Sequence, residues 1–278
     1  MIKQAIIPLA GLGTRLLPLT SVMPKELLPI NGKPNLEYIM EECIKAGIKE
    51  FIFVISKNKN QIKKYFFNDK LFKNVIKKKN NKHILNEYIK LKKYRKMIKF
   101  VYQNKPKGTG DAVLKCKKYI KGKFFMMLLP DDLIIKKNCA IEMISLHNKT
   151  KSSIIATKRV DRKSVSRWGI LSFKNKKKNY FQITDVIEKP KIKDAKSNFA
   201  IIGRYILPTS IINEIPKLNP GQAGEIHITD AIKNLINKNE KFYGNIFKGQ
   251  YLDCGTLDGY IKSGKIISKV KNIWEFVW

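Results

Sequence analysis

Gln4-Ala5-Ile6-Ile7-Pro8-Leu9-Ala10-Gly11-Leu12-Gly13-Thr14-Arg15 decides the fold. Gln4 to Leu9 is short, apolar and followed by a glycine-rich turn, which predicts a buried strand rather than a helix. Gly11 and Gly13 permit close backbone approach to a ligand. Thr14 and Arg15 add a hydroxyl and a guanidinium suited to phosphate oxygens. The turn lacks both the third glycine of the dinucleotide fingerprint and the Gly-Lys-Ser/Thr ending of the NTPase loop. Taken alone, it also reads as an ordinary strand-to-helix connection.

Outward from this stretch, strands alternate with helices. Asn35 to Ala46 reads as a helix with Leu36, Ile39, Met40, Cys43 and Ile44 on one face and Gly47 stopping it. Glu50 to Ile55 reads as a strand, and Lys-rich helical sequence then runs to about Lys96. Ile98 to Tyr102 is a strand, Gly110 to Tyr119 a helix, and Phe124 to Leu129 a strand ending in Pro130-Asp131-Asp132. The second half is richer in strands: Ser153 to Thr157, Gly169 to Phe173, Phe181 to Ile187 and Ala200 to Leu207. Helical stretches follow at Ile226 to Asn237 and Leu257 to Val270. This alternation predicts an α/β protein with a mixed, mostly parallel central sheet flanked by helices, binding ligands at the carboxyl ends of its strands. No repeat or long linker is visible. The expected organisation is one domain over 1–278: a nucleotide-binding half to about residue 135, a sugar-binding half from about 136 to 265, and a tail.

The 278 residues carry a formal net charge of +34. A field of that size attracts polyanions. However, the lysines are spread over the whole length among asparagines and far outnumber the arginines. That pattern reads as compositional bias rather than a nucleic-acid surface, which concentrates arginine and aromatics. Runs such as Lys77-Lys78-Lys79 and Lys176-Lys177-Lys178 are expected in loops. Cys43, Cys116, Cys139 and Cys254 lie far apart, and only three histidines are present, so neither a zinc site nor a disulfide framework is expected. The first strand is too short for a signal sequence or membrane span. A cytoplasmic protein bound to neither membrane nor nucleic acid is expected.

Further segments suggest chemistry. Pro24-Lys25-Glu26 follows the first turn, with a second cation held in a proline-stiffened lid. Asp131 and Asp253 (in Asp253-Cys254-Gly255) are oxygen donors of the kind Mg²⁺ favours beside substrate phosphates, though either alone also reads as a turn or cap residue. Gln103 precedes Lys107-Gly108-Thr109-Gly110-Asp111, and its amide offers a base edge both a donor and an acceptor; a polar loop residue is the equal alternative. Glu188-Lys189-Pro190 could equally end an exposed strand.

In form and order, these segments resemble the sugar-nucleotide pyrophosphorylase superfamily from Ala5 to about Gly264. Gly-x-Gly-Thr-Arg, Pro-Lys-Glu and the Lys33-Pro34 dipeptide look most like its bacterial UTP–glucose-1-phosphate uridylyltransferases. The resemblance implies the Rossmann-like nucleotide-diphospho-sugar transferase fold. It also implies formation of UDP-glucose and pyrophosphate from UTP and glucose 1-phosphate with Mg²⁺. On this basis Arg15, Lys25 and Lys189 take catalytic roles. Ala10, Gly11, Gly13, Thr14, Glu26, Gln103 and Gly108 contact the nucleotide. Gly169, Glu188, Lys189, Gly203 and Glu225 contact the sugar phosphate, and Asp131 and Asp253 hold the metal. Asp132 stands where many relatives have an apolar residue and is left out; Asp111 stands where relatives often have histidine. A homodimer or homotetramer is implied, with Trp274, Phe276 and Trp278 as either interface or core cap. The alternatives are a dTTP- or other-sugar-specific enzyme of the same fold, a basic polyanion-binding protein, and a regulatory paralogue without turnover.

Overall fold

A computed structural model describes residues 1–78, 81–221 and 224–270. Trp274, Phe276 and Trp278 lie outside the described residues. The strands are β1 (Gln4–Pro8), β2 (Pro29–Ile30), β3 (Lys33–Pro34), β4 (Glu50–Ile55), β5 (Ile98–Tyr102), β6 (Phe124–Leu128) and β7 (Asp132–Ile135), followed by β8 (Ser153–Arg159), β9 (Gly169–Lys174), β10 (Tyr180–Glu188), β11 (Phe199–Pro208), β12 (Phe242–Ile246) and β13 (Gln250–Asp253). The helices are α1 (Asn35–Lys45), α2 (Asn60–Phe67), α3 (Lys70–Lys78), α4 (Lys82–Met97), α5 (Gly108–Lys115), α6 (Cys139–Thr150), α7 (Ile228–Asn237) and α8 (Leu257–Ile267).

Nine strands form one sheet in the order β5-β4-β1-β6-β11-β8-β12-β10-β9. The pairs β5–β4, β4–β1, β1–β6 and β8–β12 are parallel. By successive pairings β10 and β11 run against the other seven, so the sheet is mixed and mostly parallel. Two short ladders, β2–β3 and β7–β13, lie apart from it.

Both faces of the sheet are covered at its centre, which is why β1, β4, β6 and β11 are largely apolar, whereas β5 and β10 alternate. Along β1 the side chains point to opposite faces in turn. Ala5 and Ile7 pack with Leu36 and Cys43 of α1, Phe66 of α2, Leu91 of α4 and Met143 of α6. Ile6 packs with Val113 of α5 and Ile228, Ile232 and Leu235 of α7. The Asn138 side chain caps α6 by accepting from the Ile141 N–H at 2.9 Å, a contact of about 0.5–2 kcal/mol.

Some sequence expectations need correcting. The Lys-rich stretch is three helices, α2 to α4, and Lys77 and Lys78 belong to α3 rather than to a loop. The helix expected over Gly110 to Tyr119 is α5, which begins at Gly108 and ends at Lys115, followed by a separate 3₁₀ turn, Lys117–Tyr119. The last two begin or end short of expectation, at Ile228 and Ile267. Besides the β2–β3 ladder, β7, β12, β13 and α6 were not anticipated. Cys43, Cys116, Cys139 and Cys254 are buried free thiols. Among the described residues no helix is long and apolar enough to cross a membrane.

Candidate active site

The carboxyl ends of the four adjacent parallel strands each deliver part of one cleft, as open α/β sheets do. β1 leads into Ala10–Arg15, β4 into the turn bearing Lys59, β5 into Gln103, and β6 into Asp131. Two adjoining cavities open there and share Arg15, Leu129, Asp131 and Glu225. The first, of 330 Å³, is lined by Ala10, Gly11, Lys25, Glu26, Gln103 and Gly108 among others. The second, of 620 Å³, is lined by Thr14, Gly169, Glu188, Lys189, Gly203 and Asp253 among others. Every candidate residue but one therefore borders the cleft. The exception, Gly13, is set back beneath its loop, its carbonyl accepting from the Thr20 hydroxyl at 2.9 Å.

Charge converges where the cavities meet. Lys25 Nζ lies 2.7 Å and Arg15 Nη2 3.4 Å from Asp131 Oδ2. Burial pushes the Asp131 carboxyl up, but Lys25 and then Arg15 outweigh it and hold the group below the usual carboxylate range. Burial likewise pushes Lys25 down, and Asp131 with Glu26 more than restores it. Both groups are thus charged at neutral pH.

Behind Lys25, Glu26 is 1% exposed and accepts from Lys59 Nζ at 2.8 and 2.9 Å. Burial dominates this pair, raising the glutamate and lowering the lysine. The contact ties the Pro24-Lys25-Glu26 segment to the end of β4, and Glu26 reaches the cavity from a clamped position. Lys59 was not singled out in the sequence, since nothing local marks it as Glu26's partner.

Asp131 and Asp253 approach one another over Gly255: a Cβ built there would sit 2.8 Å from Asp131 Oδ2 and 3.3 Å from Asp253 Oδ1. The ladder β7–β13 brings the two segments together by pairing Asp132 with Asp253. Among the described residues no group of three or more His, Cys, Asp or Glu side chains could hold a metal ion. Two hard carboxylates beside a phosphate-sized space do fit Mg²⁺, which keeps waters and substrate oxygens for its remaining positions.

The residue omitted from the sequence reading is Asp132. It is buried, faces the larger cavity and accepts from the Tyr251 hydroxyl at 2.6 Å. Burial, and next the charge of Asp131, push its carboxyl up to about 6. Its place one residue past Asp131 was the available signal.

On the sugar side, Glu188 Oε2 accepts from Thr229 Oγ1 at 3.0 Å. Lys189 adopts φ 43°, the left-handed region that a lysine rarely occupies. Its N–H is held by the Trp168 carbonyl at 3.0 Å. Such backbone strain clusters at functional sites. Gly203 is required by close approach: a Cβ there would collide with Asp132 Oδ2 and lie 2.7 Å from Leu129 Cβ.

A backbone clasp joins the two half-sites. Ile226 N donates to the Lys107 carbonyl at 2.9 Å, and Gly110 N donates to the Ile226 carbonyl at 2.8 Å. Gly108, at φ 92°, passes so close that a Cβ would meet Ile226 O at 2.5 Å. This fixes Glu225, the residue before Ile226, between the cavities.

The fold and this cleft define a nucleotidyl transferase: residues 4–269 match the family of that description, and the chain belongs to it. Enzymes of this family generally use a divalent metal. The chain is 38% identical over 263 residues to UTP--glucose-1-phosphate uridylyltransferase 2 of Staphylococcus saprophyticus, covering 94% of this chain and 90% of that one. It is 37% identical over 267 residues to UTP--glucose-1-phosphate uridylyltransferase of Mycoplasma genitalium, with 94% and 90% covered. Among solved structures it resembles a UDP-glucose pyrophosphorylase complexed with UDP-glucose, at TM-score 0.86 and 34% identity over 97% of this chain and 99% of that one. A UTP-bound UGPase from Acinetobacter baumannii gives TM-score 0.82 and 30% identity, with 98% and 96% covered.

Proposed function

We propose that this chain transfers uridylyl from UTP to α-D-glucose 1-phosphate, giving UDP-glucose and pyrophosphate. The observation that carries the reading is the joined pair of cavities. The smaller ends in Gln103 and Gly108, the larger in Glu188 and Lys189, and Arg15 and Asp131 belong to both. The names of the relatives support it.

An oxygen of the sugar phosphate forms a bond to the α-phosphorus as the bond from that phosphorus to the pyrophosphate oxygen breaks. The nucleophile is already ionised, so no general base is needed, and catalysis rests on positioning and charge neutralisation. Lys189 holds the attacking phosphate from its fixed backbone. Arg15 and Lys25 neutralise the triphosphate and the departing pyrophosphate. Ala10, Gly11 and Thr14 form the loop against the nucleotide, with Gly13 shaping it from behind. Glu188, Glu225 and the backbone at Gly169 and Gly203 line the sugar space. Asp131 and Asp253 would hold Mg²⁺, which supplies positive charge to the phosphates. Binding it requires Asp131 Oδ2 to give up part of its contact with Lys25.

A dTTP-using enzyme is the second reading, because the edge that uracil offers to Gln103 and Gly108 is shared by thymine. Pyrophosphate release measured across NTP and sugar-phosphate pairs, with and without Mg²⁺, separates the two; a preference for dTTP overturns the uridylyl assignment. In the same assay Lys189→Ala is expected to lose about 10²–10³ in kcat, and near-normal kinetics would remove Lys189 from its role. We further propose a single-domain cytoplasmic enzyme that assembles as a homodimer or homotetramer, testable by sedimentation.

A further inference from the structure

Gln103 and Asp111 are 4% and 6% exposed, and they face one another beside the smaller cavity. Gln103 Nε2 donates to Asp111 Oδ2 at 2.7 Å and to the Gly108 carbonyl at 3.1 Å. Both partners are acceptors only, as a carboxylate and a carbonyl must be. Rotating the amide by half a turn would press its oxygen against two other oxygens in a buried place. The same backbone carries α5, whose first residue, Gly108, has an N–H that the helix itself leaves unpartnered.

We infer that Asp111 is a positioning residue for base selection: it locks the Gln103 amide so that only its oxygen is offered to the base. This rests on the nucleotidyl-transfer reading of the cleft and adds the device that chooses among pyrimidines. A Gln103 acceptor beside a Gly108 donor matches the N3–H and O4 edge of uracil. Cytosine presents a lone pair at N3 and a donor at N4, so it is mismatched at both. An unconstrained glutamine could turn its amide and donate to cytosine N3, since the side chain carries a donor and an acceptor on one rotor, leaving only the N4 amino group against the Gly108 N–H. The carboxylate at position 111 removes that freedom. Its other oxygen lies 4.0 Å from Lys115 Nζ, on the next turn of α5.

The test is the ratio of kcat/KM for UTP to that for CTP, with glucose 1-phosphate and Mg²⁺, in the full-length enzyme. Asp111→Asn is nearly isosteric but can present either a donor or an acceptor to Gln103. It should lower the UTP-to-CTP ratio about 10- to 100-fold, the scale of one buried hydrogen bond reversed. The change should fall in KM for UTP, with CTP turnover equal or improved. Asp111→Glu, which keeps the acceptor, should hold the ratio within about threefold of wild type. In a Gln103→Ala background, Asp111→Asn should change the ratio no further. Asp111→Ala removes the acceptor outright and carries the same expectation.

Equal losses for UTP and CTP, an unchanged ratio in Asp111→Ala, or a further drop in the Gln103→Ala background would each overturn the positioning role. A wild-type enzyme with no turnover of UTP would instead overturn the parent reading, so the two failures are told apart by the unmutated control.

Discussion

Replacing Arg204 by methionine should strip the protein of a large part of its stability although Arg204 touches no substrate cavity. Arg204 is fully buried on β11, on the side of the sheet covered by α1 and α6. Its Nε donates to both Glu42 oxygens at 3.1 and 3.0 Å, and its Nη2 donates to Oε2 at 2.7 Å. Apart from Arg204, Glu42 accepts from the Ala140 N–H at 3.1 Å. Arg204→Met therefore leaves a buried carboxylate with the Ala140 amide in place of a guanidinium, a change that costs about 3–5 kcal/mol. Against a total of about 5–15 kcal/mol for a folded protein, and at about 2–4 °C per kcal/mol, the melting temperature should fall by roughly 6–20 °C. Arg204→Met/Glu42→Gln removes the orphaned charge while keeping an acceptor for Ala140. It should lie within about 1–2 kcal/mol of wild type, because replacing a whole buried pair is far less costly than breaking one. Equilibrium urea unfolding of the wild type, both single variants and the double variant gives the coupling energy. A single variant that loses under about 1 kcal/mol, or a double variant that loses the sum of the singles, refutes the reasoning.

Gly108→Ala should raise KM for UTP and lower stability together, by about 1–2 kcal/mol for the left-handed backbone alone, because the new methyl meets Ile226 O. Normal UTP kinetics in a folded variant would show that the clasp yields freely. Titration with a thiol reagent at pH 8 should detect none of Cys43, Cys116, Cys139 and Cys254 until the protein is unfolded. Burial raises all four thiols, Cys116 and Cys254 to about 12. Because these groups titrate higher folded than unfolded, their contribution is complete below about pH 8.5 and is lost as pH rises toward 12; urea midpoints that climb over that range would contradict it. Removing divalent ions with EDTA should abolish turnover and leave the urea midpoint nearly unchanged, since Asp131 already has Lys25 as a counter-ion; a large stability loss would mean that the metal is part of the fold.

The strands Glu50–Ile55 and Ile98–Tyr102 were legible to the residue because each is a short apolar run between turn-forming segments. β12 was not, as Gly244-Asn245 in its centre has the composition of a turn. β7 was masked by the Pro130-Asp131 corner just before it. Sheet order was illegible for a different reason: β11 enters between β6 and β8 through contacts far apart in sequence, which no local pattern encodes. In the site, the phosphate loop and the carboxylates could be picked out by residue type, but their roles came from resemblance to known enzymes. Lys59 and Asp132 escaped because their meaning depends on Glu26 and Tyr251, distant in the chain and adjacent in space.

The placement of β11 has a consequence for synthesis on the ribosome. The edge of β6 that β11 covers is complete at Leu128, while the part of β11 that pairs with it begins only at Arg204, 204 − 128 = 76 residues later. At about 5–20 residues per second, the nascent chain displays that open apolar edge for roughly 4–15 s. An unpaired edge of this kind is a template for joining another chain. Production of this protein should therefore be limited by what shields the unfinished strand, and slower translation between the two strands should cost soluble yield even though the finished enzyme is unchanged.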